Sequence, residues 1–120
     1  MELELIRHAT HDHVVVGEVR LDAAVATAFK DRMREILPHA PGLVLLDLGK
    51  VDFMDSSGLG AVIWTLKALP EGQRLELTGL TPNVERVFRL TRMETVFNIR
   101  PTDSDAALPP TDSAAPARTE

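Results

Sequence analysis

Leu43-Val44-Leu45-Leu46 constrains this chain more than any other stretch: it is a continuous apolar run, bounded by Pro41-Gly42 before it and by Asp47 and Gly49 after it. A run this short between turn residues reads as a strand, and the lack of polar alternation means that both of its faces meet apolar neighbours. It is expected to be the central strand of a sheet. The period then changes. Leu59, Val62, Ile63, Leu66 and Leu69 follow helical spacing, and the stripe stops before Pro70-Glu71-Gly72. Between strand and helix lies Val51-Asp52-Phe53-Met54-Asp55-Ser56-Ser57-Gly58-Leu59-Gly60, a strand-to-helix corner that presents a serine hydroxyl. Ser56 falls at or beside the helix N-cap. Asp and Ser are favoured there because their side-chain oxygens accept hydrogen bonds from backbone N–H groups without an intrahelical partner. The same free N–H groups, with the positive end of the helix dipole, tolerate a phosphate.

The rest of the chain alternates in the same way. Leu3 and Leu5 alternate with Glu2 and Glu4 as a half-buried edge strand, and Val14-Val15-Val16 opens a second strand reaching about Arg20. His8-Ala9-Thr10-His11-Asp12-His13 between them is expected to be a polar hairpin loop. Its histidines raise the question of a metal site, but no distant Cys or His pair completes a tetrahedral set, so no metal is expected. From Asp22, a plausible N-cap, Val25, Ala26, Phe29, Met33, Ile36 and Leu37 form the inner side of a helix, with Lys30, Asp31, Arg34 and Glu35 outside. Pro38 to Gly42 ends it. Arg74 to Thr78 alternates as a strand. Thr81-Pro82 starts a further helix with Val84, Val87, Phe88 and Thr91 inside, and Val96 to Ile99 makes a last short strand. The order β-β-α-β-α-β-α-β predicts an α/β fold: a small mixed sheet of about five strands, with three to four helices mainly on one side.

The chain has 120 residues, enough for one core. Residues 1–100 carry the patterned domain. Residues 101–120 are rich in Pro, Ala, Thr, Ser and Asp, with almost no large apolar side chain, and are expected to stay disordered. The net charge of −5, with no block of basic residues, argues against direct nucleic-acid binding. Without cysteine there is no thiol or disulfide chemistry, and no apolar segment approaches the ~20 residues that span a bilayer. With an acidic N-terminus as well, the expected location is cytoplasmic, without membrane insertion.

The run Met54-Asp55-Ser56-Ser57-Gly58-Leu59-Gly60, placed after a strand and before a helix, resembles the phosphorylation-site signature of the STAS-domain anti-sigma factor antagonists. The resemblance covers residues 12 to 100. It implies that Ser56, immediately after the aspartate, is the phosphoacceptor. It also implies an ATP-dependent anti-sigma factor kinase as the partner bound before phosphorylation, a PP2C-type phosphatase that resets the switch, and a domain that is a monomer when free. The family's first helix follows a Gly-Glu-Leu-Asp pattern with a small residue four positions after the aspartate. Here Val19-Arg20-Leu21-Asp22 and Ala26 keep the Leu-Asp and the small residue but replace Gly and Glu. Many relatives also have a glycine after the third helix, where this chain has Arg92.

The surface expected to meet a partner comprises Asp22, Asp55, Ser57, Gly58, Gly60, Ala61 and Trp64. At helical spacing Trp64 lies with Ser57, Gly60 and Ala61, three small residues that leave a shallow approach with an aromatic anchor at its edge. Ser57 is the nearest competitor to Ser56 for the phosphate. Asp55 is expected to shape the corner, and Asp52 to be a solvated loop charge. No catalytic role is expected: a serine nucleophile needs a positioned base, and nothing in the sequence brings one of the four histidines to Ser56. Gly58-Leu59-Gly60 lacks the lysine and spacing of a nucleotide-binding loop, so no cofactor is expected. Two competing functions stand beside the switch. One is a permanent STAS subunit of a lipid-transport or stressosome-type assembly; the other is an enzyme that uses the His and Asp residues.

Overall fold

The structure, a computed structural model, describes residues 1–100. The disorder expected for residues 101–120 lies outside the described residues. Strands β1 (Leu3–Arg7), β2 (His11–Val16), β4 (Leu43–Asp47), β6 (Arg74–Thr78) and β7 (Asn98–Ile99) form one sheet in the order β1-β2-β4-β6-β7. The β1–β2 hairpin is antiparallel and every other pair in this sheet is parallel. The Leu43–Asp47 run is the middle strand, with Val44, Leu45 and Leu46 all buried.

Alternation sends one set of side chains from each strand to a single core. Val14, Val16, Val44, Leu46, Leu75 and Leu77 join Phe29, Met33 and Ile36 of α1 (Ala23–Ile36), Leu59 and Val62 of α2 (Ser56–Ala68), and Val84 and Phe88 of α3 (Pro82–Leu90). The three helices therefore cover one face, as the period changes in the sequence imply. Asp22 caps α1 by accepting from Ala24 N–H, and Thr81 caps α3 with Pro82 in the first turn. Helix α1 ends in a tight turn over Leu37–His39 at Pro38.

Three sequence expectations change. His11, Asp12 and His13 are not loop residues but the first half of β2, so the hairpin turn shrinks to the residues around Ala9. The strand also ends at Val16 rather than near Arg20. Gly17 N–H still bonds to Glu2, after which the chain leaves the sheet and pairs elsewhere. That second pairing joins β3 (Arg20–Leu21) and β5 (Phe53–Met54) in parallel, with Arg20 opposite Phe53 and Leu21 opposite Met54. Strands of two residues carry no period that a sequence reading can detect. Finally, the buried face of α2 is Gly58, Leu59, Ala61, Val62 and Thr65, while Ile63 and Leu66 are only partly covered. The helix is rotated from the stripe of largest side chains because Gly58 lies directly against the backbone of Leu21 in β3.

Candidate functional site

The β3–β5 pair places the site. Because Leu21 and Met54 are opposite each other in parallel strands, the residues that follow them, Asp22 and Asp55, begin two helices side by side. Each aspartate is an N-cap. Asp22 Oδ1 accepts from Ala24 N–H at 3.1 Å, and Asp55 Oδ1 accepts from Gly58 N–H at 3.0 Å. Asp55, not Ser56, is thus the cap of α2. Ser56 is the first residue of that helix, and its side chain is exposed. Its hydroxyl is therefore not the helix cap and stands exposed at the positive end of the helix.

The acidity suggested by the two aspartates is partly offset. Arg20 Nε lies 3.2 Å from Asp22 Oδ2, and the guanidinium carbon sits 4.0 Å above the centre of the Phe53 ring. Phe53 and Val19 are both exposed, so an apolar patch crossed by an arginine borders the corner that carries Ser56. Asp52 is exposed, and its carbonyl accepts from the Asn83 amide.

The expected contact residues separate into two groups. Ser57, Gly60 and Trp64 line a shallow depression between α1 and α2, with Ala23 and Thr27 opposite. Gly58 and Ala61 do not belong to that surface. Both are buried, and Gly58 touches the backbone of Leu21 so closely that a Cβ there would lie 1.9 Å from the carbonyl oxygen. Their smallness serves the packing of α2 on β3 and α1. Trp64 is half-buried, and the Arg34 guanidinium lies 4.9 Å from the centre of its ring, so it packs toward the neighbouring helix while one part remains open.

Known proteins share this fold. The family model described as "Mlab, STAS domain" matches residues 6–101. The anti-sigma-B factor antagonist of Listeria monocytogenes is 34% identical over 100 residues, covering 79% of this chain and 85% of that protein. The chain belongs to the STAS-domain family of anti-sigma factor antagonists. Two solved structures agree on the fold of this STAS domain. A crystal structure of an anti-sigma factor antagonist from Mycobacterium paratuberculosis superposes with a TM-score of 0.77 at 24% identity, covering 88% of this chain and 89% of that one. The Bacillus cell fate determinant SpoIIAA in its phosphorylated form gives a TM-score of 0.61 at 19% identity, covering 88% and 96%.

His11 and His13 of this STAS domain lie away from the helix-covered face. His11 and His13 alternate with the buried Asp12, which places them on the open face of the sheet. There His13 Nε2 meets Asp47 Oδ2 at 3.0 Å, and the His8 and His11 rings stack at 4.3 Å. Burial alone would raise the Asp47 carboxyl, but hydrogen bonds from His13 and from Gly49 N–H, with the His13 and Lys50 charges, hold it below the ordinary carboxylate range. Burial pushes the His11 imidazole below its ordinary value, and the His8, His13 and Arg100 charges push the same way. Sequence reading missed the Arg20–Phe53 stack altogether, because only the two-residue strands bring these side chains together.

Proposed function

We propose that this STAS domain is the phosphorylatable switch of a bacterial partner-switching system. In the dephosphorylated state it binds an anti-sigma factor kinase through the surface of Ser56, Ser57, Gly60 and Trp64, together with Asp22 and Asp55, and so frees a sigma factor in the cytoplasm. Transfer of phosphate to Ser56 ends the association, and a PP2C-type phosphatase restores it. The chain acts by presenting or hiding a surface, not by catalysis.

One observation carries this reading: Ser56 is the exposed first residue of α2, directly after an aspartate that already fills the capping role. A phosphate adds about −1.5 to −2 charges. In the free domain those charges sit beside the unpaired N–H groups of the first helical turn, where an anion is favourable. In a complex they would be pressed against a partner already facing Asp22 and Asp55, and removing them from water against like charge is costly. Ser57 faces the helix-helix depression and is half-buried, which supports Ser56 as the acceptor.

The test is phosphate transfer. Each anti-sigma factor kinase of the source organism is incubated with ATP and either the wild type or Ser56→Ala, and the products are read by mass spectrometry. One phosphate on the wild type and none on the variant is expected. No transfer to the wild type by any of them, or equal transfer to the variant, defeats the assignment. The family model is described by the Mlab STAS domain, which keeps a permanent structural subunit as the second reading. Stable co-purification with a transporter ATPase, unaffected by Ser56→Asp, would favour it.

A further inference from the structure

The depression beside Ser57 continues along α1 and α2 as a groove of about 560 Å³. Most of its lining is small, with Ala23, Ala26 and Thr27 from α1 and Ser57 and Gly60 from α2, and Ile63 adds a larger apolar side chain. Trp64 forms one wall. Lys30 and Lys67, one from each helix, line the groove, and neither has an ion-pair partner among the described residues. Arg34 adds a third cation over Trp64, although it is also paired with Asp31. In a chain with a net charge of −5, two uncompensated lysines facing one groove leave a local positive field that opposite charge would fill.

We propose that this groove seats a helix of the kinase partner that presents small side chains downward and carboxylates along its flanks. The proposal rests on the partner-switching reading above and extends its contact surface away from Ser56. The shape argues for a helix. Lining residues 23, 27 and 30 of α1, and 57, 60, 64 and 67 of α2, recur at three- and four-residue spacing, so the groove is a trough between two helix ridges. Among the described residues nothing lies within 4 Å of where a Gly60 Cβ would be, so another backbone can come close. Trp64, half-buried with one part open, offers a rigid anchor at little entropic cost. The flanking lysines then pair with partner carboxylates, which fixes orientation and speeds encounter.

The experiment uses Ser56→Ala as the parent, so that phosphorylation cannot intervene, and the purified kinase as the probe. Affinity is titrated at low and high salt, with the single tryptophan as a reporter. Expected are a change in Trp64 emission on binding and an affinity at least about ten-fold weaker in Lys30→Glu/Lys67→Glu, with the difference shrinking as salt rises. Thr27→Phe, which fills the floor without altering charge, also weakens binding, and circular dichroism confirms that both variants stay folded. Unchanged affinity in the charge-reversed and filled variants overturns the groove while leaving the Ser56 switch standing. Failure of the dephosphorylated parent to bind any kinase overturns both. If inorganic phosphate or ATP alone shifts Trp64 emission and Lys30→Glu/Lys67→Glu abolishes it, the groove is a small-anion site and the proposal falls. It also falls if the chain dimerises and the same variant abolishes the dimer.

Discussion

Gly58 rests against the carbonyl of Leu21 at a distance that admits no side chain: a Cβ would lie 1.9 Å from the oxygen and 2.7 Å from the carbon. This contact draws the first turn of α2 onto β3, and the Leu21–Met54 pairing then sets Asp22 beside Asp55. The obstruction is backbone, so it cannot turn aside as a flexible side chain would. Gly58→Ala is expected to cost about 3 kcal/mol in urea unfolding, at the upper end of overpacking effects. Gly60→Ala, in the same helix but meeting nothing within 4 Å among the described residues, is the control. It should be neutral or gain up to about 1 kcal/mol from better helix propensity. Equal losses at the two positions would show that general helix disruption, and not this contact, governs the effect.

Ser56→Asp should separate fold from binding. A carboxylate in the first turn interacts favourably with the helix dipole by about 0.3–1 kcal/mol when exposed. The free domain should therefore unfold at the same urea concentration as wild type or slightly above it. Kinase affinity should fall at least about ten-fold below that of Ser56→Ala. Equal affinities for the two variants would remove the electrostatic explanation of release.

How far the fold could be read from sequence depended on element length. The run Leu43 to Leu46, the caps Asp22 and Thr81, and the α1 stripe were legible because each rests on local chemistry repeated over several residues. The rotation of α2 was not, because burial of Gly58, Ala61 and Thr65 is decided by how closely α1 and β3 approach. The serine corner was legible as a motif. The neutralising Arg20, held by Asp22 and Phe53, needs a pairing across more than thirty residues of chain. Asp12 misled for a different reason: a polar residue among histidines reads as loop, yet its side chain is fully buried in β2.

That burial gives its own prediction. Among the described residues Asp12 has no hydrogen-bond partner for either carboxylate oxygen, and its ion-pair partner, Arg7, is 3.6 Å away and half-exposed. A buried acid with so little compensation is a net cost, and replacing it with an apolar residue suited to a strand removes that cost. Asp12→Val should stabilise the domain by about 1–2 kcal/mol, seen as a higher urea midpoint with unchanged slope. A loss of stability would mean that the Arg7 interaction outweighs desolvation.

Arg92 follows α3 with φ of 62° and ψ of 20°, the left-handed conformation that glycine adopts without steric cost. A non-glycine residue there costs about 1–2 kcal/mol, and glycine offsets part of its own gain through a more flexible unfolded chain. Arg92→Gly should add about 0.5–1 kcal/mol. Arg92→Ala, which keeps the Cβ, should add nothing. Equal gains would point to the charge or length of the arginine instead of its backbone.

The open face of the sheet should make stability fall with acid through two groups. His11 has a folded pKa below its ordinary value, through burial first and neighbouring positive charge second. The unfolded imidazole protonates near pH 6.5. As pH drops below that point the unfolded chain takes up the proton first, so stability declines until the folded value is passed. Asp47 is also held low, against the effect of its burial, by His13, Gly49 N–H and Lys50. Its contribution is intact above the unfolded carboxyl value of about 4 and is lost as pH falls through the lower, folded value. Urea unfolding from pH 7 to pH 3 should therefore show a decline that begins as pH falls through about 6.5 and that His11→Gln flattens. A steeper decline below about pH 4 should be reduced by Asp47→Asn, which also lowers stability at neutral pH by removing the bond to His13. If His11→Gln leaves the upper slope unchanged, the proton uptake there belongs to another group.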